Sequence, residues 1–281
     1  MNSSEWVLKV ILSRYPEPSR QSLERFLPKE EMARLHKMPS AEVDTTLEES
    51  PLLERVHWSW LLPILESKGA KEQKLFLSAL SPFARENLAR ELKMRTPPPE
   101  EENRLIQEFV HQSLLEALVG KTLELLPVYF LPPTPLAPLL RMEKQELVDL
   151  IDSLSLIDLA AELRQIVETK ILKKIYSFLS EEEKRALKKA ARTSQPIATA
   201  RLHLEKWNGE EKSLRLLLHK RGIARLAAAL STQHPDFVWY ICHQLDIGRG
   251  RALERLSEKE VAKSASQQII HQLEDLLRET A

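Results

Sequence analysis

The distribution of proline is the feature that most constrains this chain. Fifteen of its 17 prolines lie before residue 140, and only Pro196 and Pro235 come later. Proline removes a backbone N–H group and clashes with the preceding helical turn, so it ends or kinks a helix and is excluded from central strands. The pattern therefore predicts short helices joined by corners in the first half, and longer, less interrupted helices in the second half.

The rest of the sequence predicts an all-α fold. Only six of the 281 residues are glycine, which is few for the many tight turns of a β protein. Apolar residues recur at helical spacing, as at Leu147 and Ile151, and no run alternates as a half-buried strand does. Serines followed three residues later by an acid predict helix starts at Ser155, Ser180 and Ser257.

Two proline-rich segments divide the chain. The sequence PPPEEE at 97–102 favours an extended, solvated linker, and the prolines within 127–138 form a second, apolar joint. The predicted domains are an N-terminal helical module at 1–96, a Pro-rich linker and connecting helix at 97–139, and a C-terminal helical module at 140–281.

A weak internal repeat supports a repeated helical unit. The sequence LFLSALSPFARENL at 75–88 aligns with KIYSFLSEEEKRAL at 174–187, an offset of 99 residues that pairs Ser81 with Ser180. One interpretation is an armadillo-like set of helical hairpin repeats, which stack because one hairpin cannot bury its apolar face alone. The other is that any two hairpins with a serine at the corner look alike.

The composition argues against several kinds of chemistry. Lysine and arginine together number 41, and aspartate and glutamate together also number 41. The net charge is therefore zero, and the chain lacks the basic surplus of a nucleic-acid binder. Its single cysteine, Cys242, excludes an internal disulfide, and no two of its eight histidines have the i, i+4 spacing of a helical metal site. We therefore expect no catalytic residues, no cofactor, no metal and no membrane span.

Basic clusters occur among the charged residues of the second half. Lys188, Lys189 and Arg192 form one of them, with acids nearby and no aromatic residues spaced for base stacking. We interpret such clusters as exposed charged helix faces rather than as a surface for RNA or DNA.

Two segments are candidate partner-binding surfaces because they concentrate aromatic residues. The first, at 56–65, carries Trp58 and Trp60, which are either core residues or exposed binding anchors. The second, at 233–246, opens with a loop-to-helix start and continues into an aromatic-rich helix. The candidate partner-binding residues are Gln233, His234, Pro235, Asp236, Trp58 and Trp60.

Parts of the second half resemble the flagellar rotor switch protein FliG. Residues 142–191 are similar to the helical unit repeated in that family, with Asp158, Leu159, Ala160 and Leu163 matching its Asp-Leu-Ala-x-x-Leu centre. Other matches are Lys173 and Lys174 in the next helix, the Ser180 cap, the segment 233–236 against the family's Glu-His-Pro-Gln signature, and 261–279 against its closing helix.

The resemblance implies a protein-binding function. The His-Pro signature here follows the Asp-Leu-Ala unit, whereas the family places it first, and the family's charged ridge that works against the stator is missing. A non-rotating relative therefore fits better: an SctK-like adaptor that links the inner-membrane ring of a type III secretion system to the cytosolic pod and ATPase complex. It would lie in the cytoplasm, peripheral to the bacterial inner membrane.

Other functions remain open at this point. The chain could be a flagellar motor switch protein proper, a secreted type III effector, an enzyme whose site is assembled from scattered residues, or a generic helical-repeat scaffold.

Overall fold

The computed structural model describes residues 3–39, 52–99, 104–120, 125–193 and 202–280. Within these ranges the chain forms 15 α-helices and several short 3₁₀ turns, with 75% of the described residues helical and no β-strand among them. The predicted all-α class is confirmed. No helix in the described ranges combines the length and the apolar character needed to cross a bilayer.

Helices before residue 140 are mostly short, as the prolines predict. Pro16 and Pro28 directly precede the second and third helices, and Pro82 opens the seventh. The exception is the eighth helix, which runs for 16 residues. The first eight helices are α1 (Ser3–Ser13), α2 (Glu17–Glu24), α3 (Lys29–Lys37), α4 (Leu52–Arg55), α5 (Leu62–Glu66), α6 (Ala70–Ser78), α7 (Pro82–Glu91) and α8 (Arg104–Val119).

Helices after residue 140 include the longest ones. The prolines between 127 and 138 allow only the 3₁₀ turns Val128–Phe130 and Ala137–Arg141 before long helices begin. Two helices of this half reach 20 residues each. The helices are α9 (Lys144–Leu163), α10 (Thr169–Phe178), α11 (Glu181–Thr193), α12 (Glu211–Leu230), α13 (Pro235–Gln244), α14 (Ile247–Ser257) and α15 (Lys263–Thr280).

The chain divides into two compact units. The first unit comprises Met1–Thr134 with His234–Phe237, and the second comprises Pro135–Gln233 with Val238–Ala281. The helix expected within 97–139 is α8, and its Val110 and Leu114 are buried in an apolar core of the first unit. The three domain boundaries taken from the sequence stay predictions, and residues 100–103 of the PPPEEE linker region lie outside the described residues.

The second unit is organised around α9 and α12. The α12 helix packs against α9, α14 and α15, and α9 also packs against α11. Gly222, in the middle of α12, permits the close approach to α9, since a Cβ atom there would lie 1.9 Å from the carbonyl oxygen of Ile151. Leucines and isoleucines of α9 to α12, such as Leu159, Ile175 and Leu214, fill an adjoining core.

Only one of the three predicted serine helix starts is confirmed. The Ser180 hydroxyl accepts from the Glu183 N–H at 3.1 Å, the Glu183 carboxylate accepts from the Ser180 N–H at 2.7 Å, and α11 follows. Ser155 is wrong as a start, because apolar residues on both sides keep α9 continuous and its hydroxyl donates to the Asp152 carbonyl. Ser257 is also wrong, since it is the last residue of α14.

The aligned segments 75–88 and 174–187 both form a helix, a serine corner and a second helix. The first corner joins α6 to α7 at Ser81, and the second joins α10 to α11 at Ser180. Their capping differs, because the Ser81 side chain makes no capping hydrogen bond. The two hairpins therefore follow a similar backbone course, but their corners differ in capping hydrogen bonds.

Candidate interaction surfaces

Trp58 and Trp60 lie on the 3₁₀ turn Trp58–Trp60 of the first unit. His57 caps this turn, with its Nδ1 accepting from the Ser59 N–H at 3.2 Å. Both tryptophans are half-buried, and Trp58 packs against the core formed by α4 to α8. Trp58 therefore contributes to the core, and both tryptophans keep part of their area exposed.

The Trp58–Trp60 turn packs against α7, which carries a buried cation. Arg85 is 9% exposed, and its Nε and Nη1 atoms have no hydrogen-bond acceptor among the described residues. Tryptophan and arginine are the residue types that dominate binding hot spots. We call the two half-buried tryptophans, Trp58 and Trp60, the tryptophan face, because tryptophan is enriched at protein-binding surfaces.

The predicted His-Pro helix start is confirmed, because α13 begins at Pro235. His234 Nδ1 accepts from the Asp236 N–H at 3.2 Å, and the Asp236 carboxylate accepts from the Leu126 N–H at 3.1 Å. Only 14% of the Asp236 side chain is exposed. Asp236 thus holds the chain near Leu126, while Pro235 is exposed and Gln233 and His234 are half-buried.

The aromatic stretch of α13 is mainly core. Phe237 and Tyr240 are buried, whereas Trp239 is half-buried and stacks on His243 with 3.8 Å between ring centroids. Burial lowers the pKa of His243 to about 4, and burial raises the pKa of the Cys242 thiol to about 12. At neutral pH the thiol is therefore protonated, which makes Cys242 a poor nucleophile.

A groove of about 370 Å³ lies within the second unit, where no sequence pattern predicted one. The 3₁₀ turn Ala137–Arg141, the first half of α9 and the end of α15 form its walls. Its apolar floor includes Leu150 and Leu276, and the charged residues at its rim, Glu146, Asp149 and Arg141, are exposed. The lining residues are Pro138, Arg141, Met142, Glu146, Asp149, Leu150, Ser153, Leu276 and Leu277.

The signal for this groove in the sequence is indirect. Glu146, Asp149 and Ser153 follow the i, i+3, i+7 spacing of one helix face, but the apolar floor combines residues more than 120 positions apart. Periodicity shows that each helix has an apolar face and does not show where two such faces leave a gap. We call this feature the α9–α15 groove.

Asp158, the centre of the FliG-like unit, is part of a buried ion network. Its carboxylate pairs with Arg225 and lies 3.5 Å from Nε of Arg221, and Arg225 also donates to the side chain of Gln272. Arg225 is 2% exposed, and burial is the main cause that lowers its pKa. The network joins α9, α12 and α15, so Asp158 stabilises the second unit.

A metal centre finds no support in the described ranges. They contain no group of three or more histidine, cysteine, aspartate or glutamate side chains placed to hold an ion.

Comparison with protein-family models, with curated proteins and with solved structures gave no match.

Proposed function

We propose that this protein is a non-enzymatic adaptor of a bacterial type III secretion system, linking the inner-membrane ring to the cytosolic pod and ATPase complex of the sorting platform. The observation that carries the proposal is the α9–α15 groove. Its two long walls, α9 and α15, fall in the segments 142–191 and 261–279 that resemble FliG. Most residues that line the groove therefore lie within the two segments that resemble the family, although the matching Asp-Leu-Ala-x-x-Leu residues themselves do not line it.

The groove has the chemistry of a docking site for an amphipathic helix. Its volume is at the lower end of ligand pockets and accommodates one or two large apolar side chains. Glu146 and Asp149 on the rim favour a partner whose apolar anchor is flanked by lysine or arginine. Helix-in-groove recognition of this kind reads anchors at i, i+3 or i+4 of the partner.

The state of the reactive side chains supports an adaptor over an enzyme. Cys242 and His243 are both buried, with the thiol held protonated and the imidazole held neutral. A catalytic thiol needs the opposite environment, a partly exposed site with a lowered pKa. The adaptor proposal uses neither side chain.

The proposal includes the arrangement of the chain and its location. The hairpins α6–α7 and α10–α11 are interpreted as armadillo-like repeats, each burying an apolar face against neighbouring helices. The tryptophan face and the segment Gln233–Asp236 serve as further partner surfaces. The location is the cytoplasmic side of the bacterial inner membrane, peripheral to the ring.

A pull-down with two purified baits tests this function. The cytosolic domain of the inner-membrane ring and the pod protein are each immobilised, and the full chain is passed over them. We expect retention on at least one bait, and Asp149→Lys should weaken it about tenfold because it reverses a rim charge. Asp149 is exposed, so the variant should stay folded.

The matched control is Asp275→Lys, which makes the same charge change on α15 outside the groove, at an exposed side chain. It should bind as the unmodified chain does. Retention on neither bait would overturn the adaptor function, and equal losses in both variants would remove the groove from it. Retention on flagellar switch components alone would instead favour the flagellar alternative.

A further inference from the structure

The charge of this chain is unevenly distributed although its total is zero. Between residues 164 and 192 there are eight exposed cationic side chains and only three exposed acidic ones, Glu168, Glu181 and Glu182. The whole chain carries 41 of each sign. The excess is therefore local to α10, α11 and the turn before α10, and we call this region the cationic face.

On α11 the cations form one stripe. Arg185, Lys188, Lys189 and Arg192 are exposed and follow the spacing i, i+3, i+4, i+7, which places them on one side of the helix. Leu187 is buried in the core on the other side. Arg164 adds a cation at the same end, because its guanidinium donates to the carbonyl of Ala191.

On α10 three exposed lysines accompany two exposed apolar side chains. Lys170, Lys173 and Lys174 lie on the side of the helix opposite the buried Ile175. Tyr176 is 43% exposed beside them, and Val167, in the turn before α10, is 93% exposed. Exposed lysines next to exposed apolar groups are typical of helices that lie on a membrane surface.

Stabilisation of the helices does not account for these cations. Cations favour the C-terminal end of a helix, which explains Arg192 at the end of α11. Lys170, however, lies in the first turn of α10, where the helix dipole disfavours a positive charge, and Lys173 and Lys174 do not lie in its last turn. A ligand with negative charge explains the lysines of both helices.

We infer that the cationic face binds the surface of an anionic lipid bilayer. Clusters of four to eight lysines and arginines on an amphipathic helix are typical of contacts with anionic headgroups, and each such cation contributes about fivefold in affinity. The inference rests on the proposed function, which places the chain where anionic lipids of the inner membrane are available. Nucleic acid is disfavoured, because base stacking needs several exposed aromatic residues and this face offers Tyr176.

Co-sedimentation with lipid vesicles tests the inference. The full chain is mixed with vesicles of phosphatidylcholine containing phosphatidylglycerol, and in parallel with vesicles of phosphatidylcholine alone, at about 0.15 M salt. We expect sedimentation with the anionic vesicles only. The variant Lys188→Gln/Lys189→Gln/Arg192→Gln should bind about 100-fold more weakly, since three surface cations are lost.

The matched control is Arg255→Gln/Lys259→Gln/Lys263→Gln, which removes two lysines and one arginine from exposed positions of the same unit. Exposed acids, Glu254, Glu258 and Glu260, are interspersed with these cations, so binding should change by no more than a few-fold. Glutamine keeps helix propensity in both variants, and far-ultraviolet circular dichroism checks that both are folded.

Three results would overturn the lipid proposal: no sedimentation with the anionic vesicles, equal losses in the two triple variants, or tighter binding to a single-stranded RNA oligonucleotide than to the vesicles. The pull-down with the ring domain and the pod protein is repeated on the same variants. Ring or pod binding that survives the loss of vesicle binding shows that the adaptor function stands without this membrane contact. Failure of both assays would overturn both proposals.

Discussion

The two units satisfy their buried polar groups in different ways. In the first unit, prolines break the backbone into short helices, and side chains donate to carbonyl groups at the ends of these helices and in the corners between them. Examples are Trp6 Nε1 to Leu131 O at 2.9 Å, Lys9 Nζ to Leu35 O at 2.7 Å, Gln73 Nε2 to Leu65 O at 3.0 Å and His111 Nε2 with Ala79 O at 3.2 Å.

In the second unit, long helices satisfy most of their own backbone groups, and side chains instead pair with one another. The most buried charged side chain among the described residues is that of Arg225, which contacts Asp158 on α9 and Gln272 on α15. Bonds from side chains to carbonyls also occur here, as from Arg215 to the Phe178 carbonyl at a helix end. The difference follows from where the prolines lie, and it predicts different costs of mutation in each unit.

Removing Asp158 should destabilise the protein more than any other change considered below. The Asp158→Ala variant leaves Arg225 buried without its carboxylate, and breaking a buried pair from one side costs about 3–5 kcal/mol. Urea titration followed by far-ultraviolet circular dichroism measures the loss in free energy of unfolding. The variant Asp158→Leu/Arg225→Met, which removes both charges, should recover most of it.

The control for this prediction is Asp152→Ala. Asp152 pairs with His219 at 2.6 Å but is 51% exposed, so its loss should cost less than about 1 kcal/mol. Equal costs for Asp158→Ala and Asp152→Ala would show that burial of the charge does not set the stability of the second unit.

The sequence predicted the helical class and the contrast in helix length, because both depend on local properties. Proline positions and apolar spacing act within a few residues, and Ser180 supplied a complete capping pair. The prediction of a helix start at Ser155 was wrong because it used only local spacing. The spacing fits a cap, but packing with the rest of the core keeps α9 continuous. The Asp158–Arg225 pair joins residues 67 positions apart, which no local pattern encodes.

The candidate surfaces were predicted only in part. The aromatic residues pointed to Trp58, Trp60 and α13, and composition also revealed the basic residues of α11. Exposure could not be predicted, because the extent to which Asp236 is covered depends on its contact with Leu126, 110 positions away. The α9–α15 groove needed the relative placement of two helices, which only the fold supplies.

The next prediction concerns the effect of pH on stability. The second unit contains another buried ionisable side chain, His243. Burial lowers the pKa of His243 to about 4 from an ordinary value of 6.5, so below pH 6.5 the unfolded chain binds this proton more readily than the folded chain. The contribution of neutral His243 is complete above pH 6.5 and falls by about 3 kcal/mol as the pH drops to 4.

Free energies of unfolding measured from pH 7 to pH 4 test this prediction. The variant His243→Gln cannot take up the proton, so its stability should fall about 3 kcal/mol less than that of the unmodified chain over this range. His271→Gln makes the same substitution at an exposed histidine and is the matched control. Parallel curves for the unmodified chain and His243→Gln would contradict the burial of a neutral imidazole.

The last prediction concerns a side-chain donor of the first unit and has a smaller expected cost than the two above. Trp6 is buried and its indole donates to the Leu131 carbonyl, so Trp6→Phe keeps an aromatic ring but leaves that carbonyl without its donor. The expected loss is about 2 kcal/mol, from an unsatisfied buried acceptor and a smaller side chain. Trp207→Phe in the second unit is the matched control, because its indole donates to the carbonyl of the exposed Glu210 and to the hydroxyl of the half-buried Ser213, where water can replace it. Its cost should stay below about 1 kcal/mol. Urea titrations of both variants decide the point: if Trp207→Phe costs as much as Trp6→Phe, side-chain donors to carbonyls are no more important in the proline-rich unit than elsewhere.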